Sequence, residues 1–160
     1  MQLQTKFTTN ANVEEVWKVI MNPELVGKSI PGCDSVQMVD EVTYNSQVEM
    51  KVAYLKVRFN LTSKIIEQQP PFRIVTHTQG QGLGLVGNVS QTAEVELRAL
   101  ENGQTEVINS VDLTISGKLA NLGQRIIKSK SEEMADEWAK NMKQIIEANA
   151  QESNLCRDAI

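Results

Sequence analysis

GQGLGLVGNVSQTAEVELRAL, residues 80–100, starts like a nucleotide-binding fingerprint and ends like a strand. Its run Gly82-Leu83-Gly84-Leu85-Val86-Gly87 matches G-x-G-x-x-G. In a dinucleotide-binding fold such glycines open a helix whose free N–H groups face a pyrophosphate. Here Ala93, Val95, Leu97 and Ala99 alternate with Glu94, Glu96 and Arg98, which is the side-chain pattern of a strand. No βαβ unit surrounds the glycines, so they read as a connection between strands or a bulged, bent strand. A glycine connection of this kind can also border a pocket, where missing side chains permit mobility or close approach of a ligand.

The flanks repeat the strand pattern. Downstream, Asn102-Gly103 is a hairpin signal, and TEVINSVDLTIS then turns Val107, Val111, Leu113 and Ile115 inward, with Asn109 among them. Upstream, Tyr44, Val48, Met50 and Val52 oppose Glu49 and Lys51, while Leu55, Val57, Phe59, Leu61 and Ile65 oppose Lys56, Arg58, Asn60, Thr62 and Lys64. Pro70-Pro71 interrupts before FRIVTHTQ resumes as a strand. At the N-terminus Leu3, Thr5 and Phe7 alternate with glutamine and lysine. Asn12 then stands three residues before Glu15 as a capping box, and Val13, Val16, Trp17 and Ile20 follow at helical spacing. Asn22-Pro23-Glu24 opens a second short helix that ends at Pro31-Gly32. From Leu119 the apolar positions Leu122, Ile126, Ile127, Met134, Trp138, Met142, Ile145 and Ile146 predict one long helix, with Gly123 tolerated inside it.

Strands joined by tight turns pair antiparallel, because parallel pairing needs crossovers. The expected fold is therefore α+β: a curved antiparallel sheet of about seven strands around a long C-terminal helix, with two short helices after the first strand. A helix about 10 Å wide is narrower than such a sheet, whose strands lie about 4.8 Å apart. The sheet must curl, and the remaining space is either filled by large side chains or left as a cavity. Aromatics are only 4% of the chain, which makes complete filling harder. Residues 1–150 form the expected domain, and 151–160 an expected tail without helical period and a candidate for disorder.

Composition narrows the function. With 160 residues, 41% hydrophobic and 22% charged, the chain has the make-up of one globular domain. A net charge of −4 gives no support to nucleic-acid binding. MQLQTKF lacks the basic start and apolar run of a signal peptide, and no window predicts a membrane span. The expected location is cytoplasmic, and a peripheral contact with the inner face of the membrane is compatible with it. Cys33 and Cys156 read as reduced thiols, Cys33 as a small apolar residue lacking an activating base.

His77 is the only histidine. It has no second histidine or cysteine at ligand spacing, so no metal site is expected, and it lacks an orienting carboxylate nearby in sequence. It reads as an ordinary strand histidine, and it is a weak catalytic candidate only because it is alone. Its face is ambiguous because Ile74 and Val75 are both apolar. Trp138, Phe59 and Asn109 face the expected cavity and are candidate ligand contacts, as are Gly82 and Gly84 of the connection. Trp17 and Trp138 also fit plain core packing, and Asn109 and Ser63 each need a hydrogen-bond partner if buried. The basic cluster Lys118, Arg125, Lys128 and Lys130 precedes Glu132, Glu133, Asp136 and Glu137, and reads as a solvated helix face with local ion pairs.

Three stretches together, SIPGCDSV (29–36), GQGLGLVG (80–87) and SGKLANLGQRII (116–127), resemble the family of the carbon monoxide dehydrogenase G subunit. That family lies within the START-like, helix-grip superfamily of polyketide cyclases and lipid-transfer domains. The positions carrying the resemblance are Pro31, Gly32, Cys33, Gly82, Gly84, Gly87, Gly117, Lys118, Leu119, Ala120, Gly123 and Arg125, and no catalytic residue is transferred with them. The resemblance implies a noncatalytic accessory protein, without a cofactor of its own, that binds a small hydrophobic, lipid- or quinone-like molecule in the sheet–helix cavity. It also implies assistance to a molybdenum hydroxylase-type enzyme complex. Some members continue into a hydrophobic C-terminal anchor, which the residues up to Ile160 do not show. The alternatives are a cyclase- or dehydratase-like enzyme using the same cavity, and an interaction module with a filled core.

Overall fold

Asn12 Oδ1 accepts from the Glu15 N–H at 3.0 Å and the Glu15 carboxylate accepts from the Asn12 N–H at 3.2 Å, so the capping box is complete. In the computed structural model of the chain it starts α1 (Val13–Ile20), and Asn22 with Pro23 starts α2 (Pro23–Ser29). The structure describes residues 1–84 and 86–158, those after Glu152 by backbone only. Before the helices comes β1 (Gln2–Thr9). After them come β2 (Cys33–Met38), β3 (Thr43–Val52), β4 (Leu55–Gln69), β5 (Arg73–Gly82), β6 (Asn88–Ala99) and β7 (Thr105–Ser116), followed by α3 (Gln124–Asp158).

The seven strands form one sheet in the order β1-β7-β6-β5-β4-β3-β2, each pair antiparallel. The chain leaves one edge of the sheet at β1 and re-enters at the other with β2, and α1 and α2 make that crossing. The fold is the expected α+β helix grip, with the curved sheet closed around α3. On the outer face Arg73 of β5 joins Glu67 of β4 at 2.8 Å and Glu94 of β6 at 2.9 Å.

The glycine-rich segment joins β5 to β6 as a hairpin. β5 ends at Gly82, β6 starts at Asn88, and Gly82 N–H donates to the Gly87 carbonyl at 2.8 Å. Nothing helical follows, which excludes the nucleotide reading on geometry as well as on pattern. The turn between β3 and β4 carries no glycine or asparagine. Ala53 takes φ +53° there and Tyr54 is 80% exposed.

One expectation is corrected. The helix predicted from Leu119 is in two parts: a 3-10 helix (Lys118–Leu122), then Gly123 at φ 96°, ψ 150°, then α3. Leu119 belongs to the sheet side of that break. It is buried, and its N–H donates to the Val86 carbonyl at 2.7 Å. By its backbone α3 runs to Asp158. Residues 159 and 160, and the side chain of Cys156, lie outside the described residues.

The interior is split between two clusters. One gathers Val16, Val19, Leu97, Val107, Met142 and Ile146 where α1 and the later turns of α3 meet the sheet. The other gathers Val52, Val57, Phe59, Leu119 and Ile127 at the opposite end, beside the two hairpin tips and the start of α3.

Candidate functional site

Between those clusters the concave face of the sheet and α3 enclose a cavity of about 300 Å³. Alternation supplies the sheet half of its wall, since every second residue of a strand faces the same way. Val48, Phe59, Leu61, Val89, Val111 and Ile115 contribute hydrocarbon from the strands. The helix half is Ile127, Met134, Ala135, Trp138 and Met142, recurring at helical spacing, with Ile30 and Pro31 from the end of α2. This volume is at the small end of ligand sites, which run from about 300 to 1,000 Å³, and it has their usual make-up of apolar walls with few polar groups.

The sequence-predicted residues separate into three placements. Phe59, Asn109 and Trp138 line the cavity. The Trp138 ring is held edge-on to Phe7, with centroids 6.1 Å apart and planes at 67°, so its position is set by packing. Asn109 is 9% exposed, and its side-chain oxygen is buried with no hydrogen-bond partner among the described residues. Its cross-strand neighbours are Thr5 and Val95.

Gly82 and Gly84 are not among the residues that line the cavity. A Cβ on Gly82 would stand 3.0 Å from Val86 Cβ and 3.3 Å from the Phe59 ring, so the space it vacates is occupied by those side chains. Gly84 has open space around it at the hairpin tip, with φ +75°.

His77 is the third placement. It lies on the outer face of β5, between Thr76 and Thr78, which line the cavity, and its Nδ1 is 3.1 Å from Thr92 Oγ1 on β6. The histidine is therefore an ordinary cross-strand partner and is turned away from the cavity. Among the described residues, no three of His, Cys, Asp and Glu gather as metal ligands. Cys33 is partly buried, and its Sγ lies 3.6 Å from the Ser35 carbonyl, which accepts from it. Burial pushes its thiol pKa up from 9.0, which keeps it in the thiol form.

Sequence reasoning missed two features of the wall. Lys130, assigned to a solvated face, lines the cavity and is the one charged residue among the described lining. Its Nζ is 3.7 Å from Glu133, and Lys128 pairs with Glu132 at 4.0 Å, as expected of local pairs. The second is a set of hydroxyl and amide groups on the sheet floor: Tyr44, Ser63, Thr78 and Gln91. Ser63 was singled out only as a polar residue on an apolar face. Its Oγ lies 2.7 Å from Thr78 Oγ1. Tyr44 is next to Ser63; burial raises its phenol pKa above 10.0, which the Ser63 hydroxyl partly offsets.

Among the described residues no helix is long and apolar enough to cross a membrane. No curated protein matches the sequence. Among solved structures, a conserved protein from Geobacillus kaustophilus is similar over 91% of this chain and 95% of its own, at 22% identity and a TM-score of 0.83. A START superfamily protein from Mycobacterium smegmatis matches over 92% and 97%, at 14% identity and a TM-score of 0.71. The Zhui aromatase/cyclase from Streptomyces matches over 94% and 93%, at 11% identity and a TM-score of 0.65. At these identities the likeness establishes the shared fold. The family model for the carbon monoxide dehydrogenase G subunit (CoxG) matches residues 6–147, which takes in the cavity lining apart from Leu3, the β3–β4 and β5–β6 connections and the Gly123 break. The chain belongs to the CoxG family, that of the carbon monoxide dehydrogenase G subunit.

Proposed function

We propose that this protein is a noncatalytic binding protein that carries a small hydrophobic molecule, lipid- or quinone-like, between the sheet and α3. The observation that carries the reading is the apolar cavity of about 300 Å³ lying between two separate core clusters. The driving force is removal of hydrocarbon from water, about 0.8 kcal/mol for each buried CH₂. Asn109 offers a polar contact inside, and Lys130 places a charge in the wall. Membership of the family supports a role as an accessory to a molybdenum hydroxylase-type enzyme complex in the cytoplasm or at the inner face of its membrane.

Native mass spectrometry of gently purified protein, with titration by quinones and lipids, tests the binding. Saturable uptake at one molecule per chain is expected; no retained molecule and no saturable binding would refute it. Affinity purification from the source organism tests the partner, and the absence of any molybdenum enzyme from the eluate would remove that part alone. The enzyme reading requires an acid–base group on the inner wall. The outward position of His77 supports the noncatalytic alternative.

A further inference from the structure

Strand register places four polar residues in one line across the concave face. Tyr44 is opposite Ser63, Ser63 opposite Thr78, and Thr78 opposite Gln91. Each comes from a different strand, β3 to β6, and all four line the cavity. With strands about 4.8 Å apart, the line spans roughly 14 Å. The positions on both sides are mainly hydrocarbon: Leu61, Val89 and Ile115 toward one end, with Ser46 beside Leu61, and Ala93, Val111 and Leu3 toward the other, with Thr76 beside Ala93. The line therefore divides the floor into two bays in which hydrocarbon predominates.

Polar groups facing hydrocarbon without partners cost about 1–3 kcal/mol each. Ser63 and Thr78 satisfy one another at 2.7 Å. Among the described residues, the Gln91 amide beside them makes no side-chain hydrogen bond. Hydroxyl protons rotate, and either oxygen of the Ser63–Thr78 pair can be the donor. The pair can consequently present a proton to a carbonyl or a lone pair to a hydroxyl, while Gln91 offers both a donor and an acceptor.

We propose that Tyr44, Ser63, Thr78 and Gln91 form the polar anchor of the cavity and seat an uncharged oxygen group, carbonyl or hydroxyl, of an otherwise apolar molecule. This rests on the reading that the cavity binds a hydrophobic guest, and names the chemical class of that guest. None of the four residues carries a charge at neutral pH, and the lone lysine of the wall already has Glu133 beside it. An anionic head has no countercharge on the floor.

The test is displacement of N-phenyl-1-naphthylamine, an uncharged fluorescent probe, by four ligands of equal chain length: decan-1-ol, decan-2-one, decanoate and decane. In the native protein the alcohol and the ketone are expected to bind about 5- to 50-fold more tightly than decane, the gain of one or two hydrogen bonds. In Thr78→Val with Gln91→Met, both close in size and shape to the native side chains, that gap closes to less than about threefold while decane binding is retained. Decane binding as tightly as decanol, or a gap unchanged in the double variant, overturns the anchor and leaves the cavity reading intact. Preference for decanoate that disappears in Lys130→Met overturns it in favour of an anionic guest. Failure of the probe and all four ligands to bind removes the cavity reading and the anchor together. The native-protein comparison stands even if the variants fold poorly.

Discussion

Gly117 and Gly123 bracket the 3-10 helix, and together they form an experiment with its own control. Gly117 sits at φ 84°, ψ −156° and Gly123 at φ 96°, ψ 150°, a region that side chains enter at a cost of about 1–3 kcal/mol. Their surroundings differ. A Cβ on Gly117 would stand 2.6 Å from the Gly87 Cα, a backbone atom that cannot step aside, whereas a Cβ on Gly123 would meet nothing within 4 Å. Gly123→Ala thus reports the conformational term alone, about 1–3 kcal/mol. Gly117→Ala carries the same term plus overpacking of about 1–3 kcal/mol. At about 2–4 °C per kcal/mol for a chain of this size, Gly117→Ala is expected to melt roughly 2–12 °C below Gly123→Ala. Urea unfolding with a shared m-value checks that both changes are in stability. Equal losses in the two variants would refute the close approach of the hairpin to the β7 exit, and with it this account of the glycine motif.

Three further outcomes are expected. Asn109→Leu removes a buried oxygen without a partner, so it should raise stability by about 1–2 kcal/mol in urea unfolding; an equal loss would mean that a hydrogen bond is made there in solution. Cys33 and Tyr44 both have folded-state pKa values raised above 9.0 and 10.0 by burial, so the unfolded chain loses those protons first. Stability is then full below about pH 9 and falls as pH rises through the folded values, and Cys33→Ala and Tyr44→Phe should each flatten that fall above about pH 9. Slopes unchanged in both variants would contradict the sign. His77→Ala should cost about 0.5–1.5 kcal/mol of stability through loss of the Thr92 contact and leave probe affinity unaltered; a tenfold weaker affinity would place the ring in the site after all.

The sheet was legible because alternation is a local property: Tyr44 to Val52, Leu55 to Ile65 and Ala93 to Ala99 each show their buried face on their own. Asn102-Gly103 likewise announced the β6–β7 hairpin. The turn at Ala53-Tyr54 gave no such notice, since an alanine at φ +53° is a conformation that only the pairing of β3 with β4 enforces. Gly123 was misread because Leu119, Leu122, Ile126 and Ile127 keep a helical period across the break while the backbone does not. Lys130 looked solvated because it stands in a charged stretch, between Lys128 and Glu132; its direction depends on where α3 begins and on what it packs against. His77 was ambiguous because Ile74 and Val75 are both buried although they alternate across the sheet. The polar line escaped notice for a different reason. Its members are far apart in sequence, and only the registers of three strand pairs, one of them shifted by a bulge between Ile65 and Glu67, bring them level.

A void between two clusters also has mechanical meaning. Among the described residues ten buried side chains gather at the α1 end and five at the Leu119 end, so the latter is the end that loosens first. In the empty protein its amides should exchange hydrogen ahead of those near Val16 and Ile146, as a separate foldon. A guest spanning both bays acts as a keystone. At a hundred times its dissociation constant it adds about 2.7 kcal/mol to the folded state, and the two halves then open together.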